Sequence, residues 1–227
     1  MSLPRINEPE VMQTLAEAQE YDAIDHSETN RSFVEDLLAT GKMKSDVLDL
    51  GTGTALIPIE LCQRHEDCRI MAVDLSTSML DLARYNIEIA GLIDRIMLDY
   101  ADAKELPHAD EYFDVVICNG MLHHFADPLV VLRQAVRVAR SDGLLFFRDL
   151  RRPNNEDELT RLLDEYAGEA TERQRNLFAD SLRAALTLDE MRELVQPSGF
   201  DAETVQTTSD RHWTWIARKP VAETAET

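Results

Sequence analysis

Short apolar runs alternate with longer amphipathic stretches through the middle of this chain of 227 residues. The apolar runs predict buried strands, and the amphipathic stretches have the three- and four-residue spacing of helices. Alternation at these lengths predicts an α/β fold, in which a doubly wound, mostly parallel sheet carries helices on both faces. Strands are predicted at 46–50, 69–73, 95–99, 113–118 and 143–149, and helices at 55–65, 77–91 and 127–140.

The two ends of the chain have a different pattern. Residues 8–40 have helical spacing with a break at 21–27, and residues 154–186 are charged and mostly helical. The second segment is either a lid over a pocket or an interface with a second copy, so a homodimer stays open. The predicted organisation is an N-terminal helical cap at 1–45, a domain at 46–220 with a helical insertion at 154–186 and closing strands at 201–207 and 211–218, and a disordered tail at 221–227.

A turn that contains two glycines comes directly after the first predicted strand and is the strongest functional signal. Gly51 and Gly53 stand between this strand and a helix, an arrangement that gathers backbone N–H groups and lets a ligand approach closely. Asp49 lies just before the turn, and the second strand ends in Asp74. An acid at that strand end is placed to accept hydrogen bonds from two ribose hydroxyls. The sequence therefore predicts a site for a nucleoside-containing cofactor.

The same turn argues against a dinucleotide cofactor. A G-x-G-x-x-G fingerprint would place its third glycine at position 56, which is Leu56. The carboxylate of Asp49 would repel a pyrophosphate, whereas it suits a ligand that carries a cationic group. An NAD(P)-dependent oxidoreductase on a related sheet is kept as the alternative.

The stretch Asp49-Leu50-Gly51-Thr52-Gly53-Thr54-Ala55 resembles the first motif of the class I S-adenosylmethionine-dependent methyltransferases. That motif is an acid, any residue, then Gly-x-Gly-x-Gly. Ala55 departs from the last glycine of that motif. The resemblance is close over roughly residues 45–150. It implies a Rossmann-like sheet of seven strands, closed by a helix and two antiparallel strands, with S-adenosyl-L-methionine as the cofactor.

The resemblance also implies which residues hold the cofactor. Asp49 would meet the methionine ammonium, Asp74 the ribose and Asp102 the adenine. Asn119 ends the fourth strand and should face the position of methyl transfer. Tyr21 would cover the methionine part, although a core or surface tyrosine is the competing interpretation. The predicted cofactor-binding residues are Asp49, Gly51, Thr52, Gly53, Asp74, Leu75, Asp102, Ala103, Asn119 and Tyr21.

The segment after the fourth strand resembles small-molecule methyltransferases, including those of quinone biosynthesis. It lacks the Asn-Pro-Pro-aromatic and Pro-Cys motifs of nucleic-acid methylases. His123 and His124 are the candidates for a general base or a substrate contact. Alternatively, one packs over the cofactor and the other caps a turn. Arg148, Arg151 and Arg152 would hold an anionic acceptor, unless they pair with nearby acids.

The predicted function is methyl transfer to a small-molecule acceptor by in-line displacement. A non-catalytic S-adenosylmethionine-binding protein is a further alternative, and methylation of a protein side chain stays open. The formal net charge of −20 argues against a nucleic-acid substrate, since phosphate binding needs a basic surface.

Cysteine usage and the apolar segments complete the sequence picture. Cys62, Cys68 and Cys118 are odd in number and have no metal-ligand spacing, so we expect reduced thiols and no metal site. No apolar stretch is long enough to span a membrane, and the N-terminus lacks the apolar core of a signal peptide. These features predict a cytoplasmic protein.

Overall fold

A computed structural model describes residues 3–8, 14–22, 26–41 and 43–221. Seven strands form one sheet in the order β3-β2-β1-β4-β5-β7-β6. The first five strands are parallel, whereas β7 runs antiparallel to both β5 and β6. The predicted α/β fold is confirmed. The strands are β1 (Asp46–Leu50), β2 (Arg69–Asp74), β3 (Ile96–Tyr100), β4 (Phe113–Asn119), β5 (Ala139–Leu150), β6 (Val205–Thr207) and β7 (His212–Arg218).

Helices cover both faces of this sheet. Phe33, Leu61 and Ile87 of three helices pack with one face of the strands, and Leu132 and Met191 of two others pack with the opposite face. Burial of these apolar side chains holds the three layers together. The helices are α1 (Leu15–Asp22), α2 (Ser27–Ala39), α3 (Leu56–Arg64), α4 (Thr77–Ala90), α5 (Pro128–Val138), α6 (Glu156–Tyr166), α7 (Glu172–Ala184) and α8 (Leu188–Val195).

Polar caps fix where several helices begin, and thereby where the loops at the sheet edge run. The Ser76 hydroxyl accepts a hydrogen bond from the Met79 N–H at the start of α4. Asp127 caps α5, which has proline at its first position, and Thr187 forms a capping box with Glu190 at the start of α8. Each cap satisfies an N–H group that has no partner within its helix.

The predicted start of the fifth strand at residue 143 and the predicted end of the preceding helix at 140 are wrong. β5 begins at Ala139, and a bulge interrupts its pairing with β4, because Phe113 pairs with Ala139 while Val115 pairs with Leu144. Gly143 belongs to this bulge, where an added Cβ would lie 2.7 Å from the Arg140 carbonyl oxygen. Gly143 therefore permits a close backbone approach inside a strand instead of ending a helix.

The last strands and the tail differ from the prediction in extent. Asp201 caps a short 3-10 turn, so β6 is limited to Val205–Thr207 instead of covering 201–207. Residues 222–227, which include most of the predicted disordered tail, lie outside the described residues. In the part of the chain that the structure describes, no helix combines the length and apolar character needed to cross a bilayer.

The segment from Leu3 to Glu8 is not helical, so the helix predicted to start at Glu8 is wrong at that residue. The Leu3 N–H donates to the carbonyl of Pro153, and the Ile6 N–H donates to the carbonyl of Arg183. Arg5 donates to the carbonyl oxygens of residues 184 and 125, both at 2.8 Å. This segment, here called the N-terminal strap (residues 3–8), therefore joins the helical insertion to the loop after β4.

Candidate functional site

The turn between β1 and α3 adopts left-handed backbone angles at three positions. Gly51, Gly53 and Ala55 have φ of +67°, +55° and +62°. Glycine is the residue that adopts these angles without steric cost. The departure of Ala55 from the resembled motif therefore costs on the order of 1 kcal/mol of backbone strain, while the turn keeps its shape.

The N–H groups of this turn are used inside the protein, which corrects the expectation that they converge on a ligand. The Thr52 N–H donates to the Val73 carbonyl at 2.9 Å, and the Ala55 N–H donates to the Thr52 carbonyl at 3.0 Å. The Gly53 N–H donates to the Asp74 carboxylate at 2.8 Å. A turn without free N–H groups at these positions does not suit a pyrophosphate, in agreement with the argument against a dinucleotide.

Two adjoining cavities lie where the parallel strands end, and Gly51, Gly53 and Asn119 line both of them. The first cavity extends over the ends of β2, β3 and β4, and the second extends toward α2 and α3. The two cavities meet at these three shared residues, and together they are here called the groove. Other lining residues are Asp74, Leu75, Asp102, Ala103, Met121, His124 and Phe125 in the first cavity, and His26, Asp49, Thr52 and Thr54 in the second.

The structure thus brings together nine of the ten predicted cofactor-binding residues. For the tenth, Tyr21, the backbone belongs to α1, but its side chain lies outside the described residues. In the second cavity the buried Thr54 hydroxyl has no hydrogen-bond partner in the described structure. A buried polar atom without a partner is costly, so this hydroxyl suits a polar group of a ligand.

Asp49 is 3% exposed and sits in the second cavity between neighbouring strands. Burial, together with the nearby charge of Asp74, raises the pKa of Asp49 to about 7. A buried carboxylate of this kind is stabilised in its ionised form when a cation binds beside it. The residues therefore fit the ammonium group of an amino-acid moiety at this end of the groove.

Asp74 and Asp102 provide carboxylates in the first cavity. Asp74 accepts hydrogen bonds from the N–H groups of Gly53 and Ser76, each at 2.8 Å, so it also fastens the glycine turn to β2. Burial raises the pKa of Asp74, and these backbone hydrogen bonds counteract part of that rise. Asp102 accepts from the Lys104 N–H at 2.8 Å and remains one-third exposed. Both carboxylates retain acceptor capacity for hydroxyl or amino groups.

His123 is buried between two carboxylates and does not line either cavity. Its Nδ1 lies 2.6 Å from Asp149 Oδ1, and its Nε2 lies 3.0 Å from Glu8 Oε1. Burial opposes the charged imidazolium, but the charges and hydrogen bonds of Asp149 and Glu8 outweigh it and raise the pKa of His123 to about 10. Burial also opposes the charged form of Asp149, yet His123 holds the pKa of that carboxyl below its usual range. His123 is thus an unsuitable proton acceptor near neutral pH.

His124 lines the first cavity together with Met121 and Phe125. Its Nδ1 lies 3.2 Å from the same Glu8 oxygen that contacts His123. Ser181 of α7 donates to this carboxylate at 3.2 Å, so the insertion and the strap both reach the two histidines. Of the two predicted bases, only His124 borders the cavity.

Arg148, Arg151 and Arg152 each have a partner inside the protein, and none of them lines the two cavities. They form ion pairs with acids from three different helices: Asp36 for Arg148 at 2.5 Å, Glu158 for Arg151 at 3.0 Å, and Glu190 for Arg152. This arrangement favours the alternative of ion pairing with nearby acids over a basic pocket for the acceptor.

The sequence does not mark Glu8 or Thr54 as part of this region, and it places Asp149 there only as a member of the cluster with Arg148, Arg151 and Arg152 at the end of the fifth strand. Glu8 reaches the histidines from the far N-terminus, and no local pattern marks such a contact. Asp149 stands among arginines in the sequence, which directs attention to the positive charges. Its position near the end of β5 is nevertheless the signal that could have found it, since an acid at the end of β2 identifies Asp74. Thr54 occupies a variable position of the glycine motif, which carries no signal of its own.

Comparisons with known proteins agree with this geometry. A family profile described as a methyltransferase domain matches residues 48–147. The 27-O-demethylrifamycin SV methyltransferase of Amycolatopsis mediterranei is 29% identical over 177 residues, which cover 76% of this chain and 61% of that protein. The ubiquinone/menaquinone biosynthesis C-methyltransferase UbiE of Vibrio vulnificus is 26% identical over 166 residues, which cover 68% of this chain and 64% of that protein. The chain therefore spans about three fifths of the length of these two curated relatives.

Among solved structures, a putative S-adenosyl-L-methionine-dependent methyltransferase of Methanococcus maripaludis has the same fold. It superposes with a TM-score of 0.69 at 19% identity, covering 96% of this chain and 99% of that one. The resemblance seen in the sequence agrees with both comparisons: residues 48–147 match the methyltransferase-domain profile, and the fold is shared with this solved structure.

Proposed function

We propose that this chain transfers the methyl group of S-adenosylmethionine to a small-molecule acceptor. The observation that carries the proposal is the placement of three carboxylates along one groove. Asp49 lies in one cavity, Asp74 and Asp102 lie in the other, and Gly51 lines both of them. This distribution of charge matches a ligand with an ammonium at one end and a nucleoside at the other.

Each part of the proposed cofactor has a residue suited to it. Asp49 would accept hydrogen bonds from the methionine ammonium, and Asp74 with Leu75 would hold the ribose. Asp102 would accept from the adenine amino group, with the small side chain of Ala103 leaving room for the ring. Asn119, at the junction of the cavities, would face the reacting methyl group.

The protein's task in this reaction is positioning. S-adenosylmethionine supplies, when bound, a methyl group on a sulfonium, which is already activated for in-line displacement. Met121, His124 and Phe125 would form the wall against which the acceptor is oriented, and would keep water from the reacting atoms. If the acceptor is a hydroxyl or an amine, proton removal falls to His124, since His123 is held between two carboxylates.

We also propose that the helical insertion is a lid over the acceptor side. Leu159, Leu162 and Leu182 of α6 and α7 form a small core of their own, against which Leu3 of the strap packs. Ser181 of α7 reaches Glu8, which in turn contacts both histidines. These contacts support a lid at 154–186 that rests on the strap and on the loop after β4.

The relatives support an acceptor with an oxygen or carbon nucleophile on a small molecule. Their printed names describe a methyltransferase of 27-O-demethylrifamycin SV and a C-methyltransferase of ubiquinone/menaquinone biosynthesis. An anionic acceptor held by Arg148, Arg151 and Arg152 is not part of the proposal, because these side chains are paired internally. Buried cysteines without disulfide partners support a cytoplasmic location.

The test of this function is an acceptor screen with S-adenosylmethionine. The purified chain is incubated with hydroxyl, amine and activated-carbon acceptors, and the release of S-adenosylhomocysteine is measured for each. We expect acceptor-dependent release with at least one class and loss of that release in Asn119→Leu. Tight cofactor binding with no turnover on any acceptor would favour the non-catalytic alternative instead.

Cofactor affinity should depend on pH through Asp49. Its pKa of about 7 means that the carboxylate is mostly protonated at pH 6 and mostly ionised at pH 8. Since the ammonium prefers the ionised form, affinity for S-adenosylhomocysteine should rise by about tenfold over this interval. Titration calorimetry at several pH values measures the change.

Asp49→Asn is the control for this pH effect, and its affinity for S-adenosylhomocysteine should be low and nearly constant. An equal pH slope of affinity in the wild type and in Asp49→Asn would contradict the placement of the ammonium.

The raised pKa of Asp49 also affects the stability of the fold. Because burial raises the folded-state pKa, the contribution of Asp49 to stability is fully present below its unfolded pKa and is lost as pH rises through about 7. Asp49→Asn should therefore gain stability relative to the wild type at pH 8.

A further inference from the structure

Glu8, His123 and His124 place three metal-ligand atoms around one point beside the proposed acceptor cavity. The carboxylate oxygen and the two ring nitrogens all lie within 4.8 Å of one another. Glu8 Oε1 is 3.0 Å from His123 Nε2 and 3.2 Å from His124 Nδ1. Ligands at about 2.0–2.2 Å from a common ion lie about 3.0–3.5 Å apart, so these separations already match a shared cation.

The surroundings of His123 also fit a metal ligand. Its Nδ1 faces Asp149 Oδ1 at 2.6 Å, and Asp149 is fixed in turn by the N–H groups of His123 and Leu150. Histidines that bind metals commonly donate their second ring N–H to a carboxylate, which sets the tautomer and directs the other nitrogen to the ion. Here that other nitrogen, Nε2, is the one directed at Glu8.

The charge of the cluster favours a divalent cation. Glu8 and Asp149 are two carboxylates in a largely buried setting, with side chains 12% and 2% exposed. A divalent ion would supply two positive charges beside these carboxylates and would bind both histidines as well as Glu8. Ser181 holds the Glu8 carboxylate from α7, which restrains the third ligand.

We propose that Glu8, His123 and His124 bind a divalent first-row transition-metal ion, with Asp149 as the residue that orients His123. Two imidazoles and one carboxylate are ligands for zinc, cobalt or iron, whereas magnesium and calcium prefer oxygen ligands alone. Three protein ligands leave at least one coordination position open. The side chain of His124 is 23% exposed and belongs to the cavity wall, so the site adjoins the space for the acceptor.

This site goes beyond the proposed methyl transfer. A water molecule or an acceptor hydroxyl bound to the ion would lose its proton more readily, because a metal ion lowers the pKa of the oxygen it binds. While the ion is bound, His124 would act as a ligand and not as a base. The strap would then be tied to the loop after β4 by coordination, because Glu8 belongs to the strap and both histidines belong to that loop.

Metal binding is tested on the full chain, freed of any purification tag and pretreated with a chelator. Co²⁺ is added alone and followed by its visible absorption bands, and Zn²⁺ is then used to displace it in a calorimeter. We expect one ion to bind per chain. We also expect the visible absorption bands of the bound Co²⁺ to indicate mixed nitrogen and oxygen ligands. Neither S-adenosylmethionine nor an acceptor is present, so failure of this test and failure of the proposed function are separate results.

Glu8→Gln and His124→Asn are the informative variants, because both retain a polar side chain and neither residue is fully buried. Each should weaken Zn²⁺ binding by at least about tenfold while circular dichroism remains unchanged. His65→Gln is the matched control, since its ring contacts the Met43 carbonyl far from the cluster, and it should bind as the wild type does. Absence of one-to-one binding in the wild type, or unchanged affinity in both ligand variants, would overturn the proposal.

Discussion

Gly51→Val is expected to abolish measurable cofactor binding while the chain still folds. A Cβ on Gly51 would lie 2.4 Å from Met121 Sδ and 2.8 Å from Met121 Cγ. Relief of this overlap requires Met121 to move, and Met121 is part of the cavity wall. The valine methyl groups would also occupy the groove between the two cavities. We expect the affinity for S-adenosylhomocysteine to fall by roughly 100-fold or more, or about 2.7 kcal/mol.

Gly91→Val separates this effect from simple backbone strain. Gly91 ends α4 with a φ of +69°, close to the +67° of Gly51, and an added Cβ there would meet no atom within 4 Å. Both variants therefore carry similar left-handed strain, and both should lose thermal stability. Only Gly51→Val should lose cofactor affinity. Equal affinities in the two variants would show that the groove does not cross Gly51.

Asp74→Ala should weaken cofactor binding by about 10- to 150-fold. The carboxylate is proposed to hold the ribose, and loss of charge-assisted hydrogen bonds of this kind costs about 1.5–3 kcal/mol. The same carboxylate accepts from the N–H groups of Gly53 and Ser76, so its removal also loosens the glycine turn. Asp74→Asn keeps one oxygen acceptor and should have an intermediate affinity. Titration calorimetry with S-adenosylhomocysteine measures all three proteins.

Asp201→Ala is the matched control for the structural part of this change. The Asp201 carboxylate accepts from the N–H of Glu203, two residues ahead, as the Asp74 carboxylate accepts from Ser76. Its loss should reduce stability at an exposed turn and leave cofactor affinity unchanged. If Asp74→Ala binds as tightly as Asp201→Ala, the ribose assignment is wrong.

The parallel part of the sheet can be predicted closely from the sequence because its strands are nearly continuous apolar runs. The predicted strand at 69–73 ends one residue short of β2, and the one at 113–118 ends one residue short of β4. Polar residues at those ends, Asp74 and Asn119, mark the site directly. Parallel strands place all such ends at one edge of the sheet.

The errors fall where tertiary contacts override local signals. Asp142 and Gly143 look like the end of a helix, yet they belong to a bulge inside β5 whose pairing partner is β4. Glu8 has helical spacing relative to Val11 and Leu15, but the strap is held in an irregular conformation by Arg5 and by bonds to the insertion. Neither arrangement has a periodic signature in the sequence.

The candidate chemistry is predicted better for the cofactor than for the acceptor. Asp49, Asp74 and Asp102 each lie within or just after one strand, so local pattern places them. The surroundings of His123 depend on Glu8 and Asp149, which come from distant parts of the chain. The identity of His123 and His124 as histidines therefore suggests a general base at either position. In the structure His123 is buried between two carboxylates, and of the two histidines only His124 lines the cavity.

The cofactor class is tested most directly by a calorimetric titration of the purified chain with S-adenosylhomocysteine, with NAD as the comparison ligand under identical conditions. We expect one-to-one, micromolar or tighter binding of S-adenosylhomocysteine and no heat with NAD, because Asp49 suits an ammonium and repels a pyrophosphate. Binding of NAD, or of neither ligand, would show that the groove is not a site for S-adenosylmethionine.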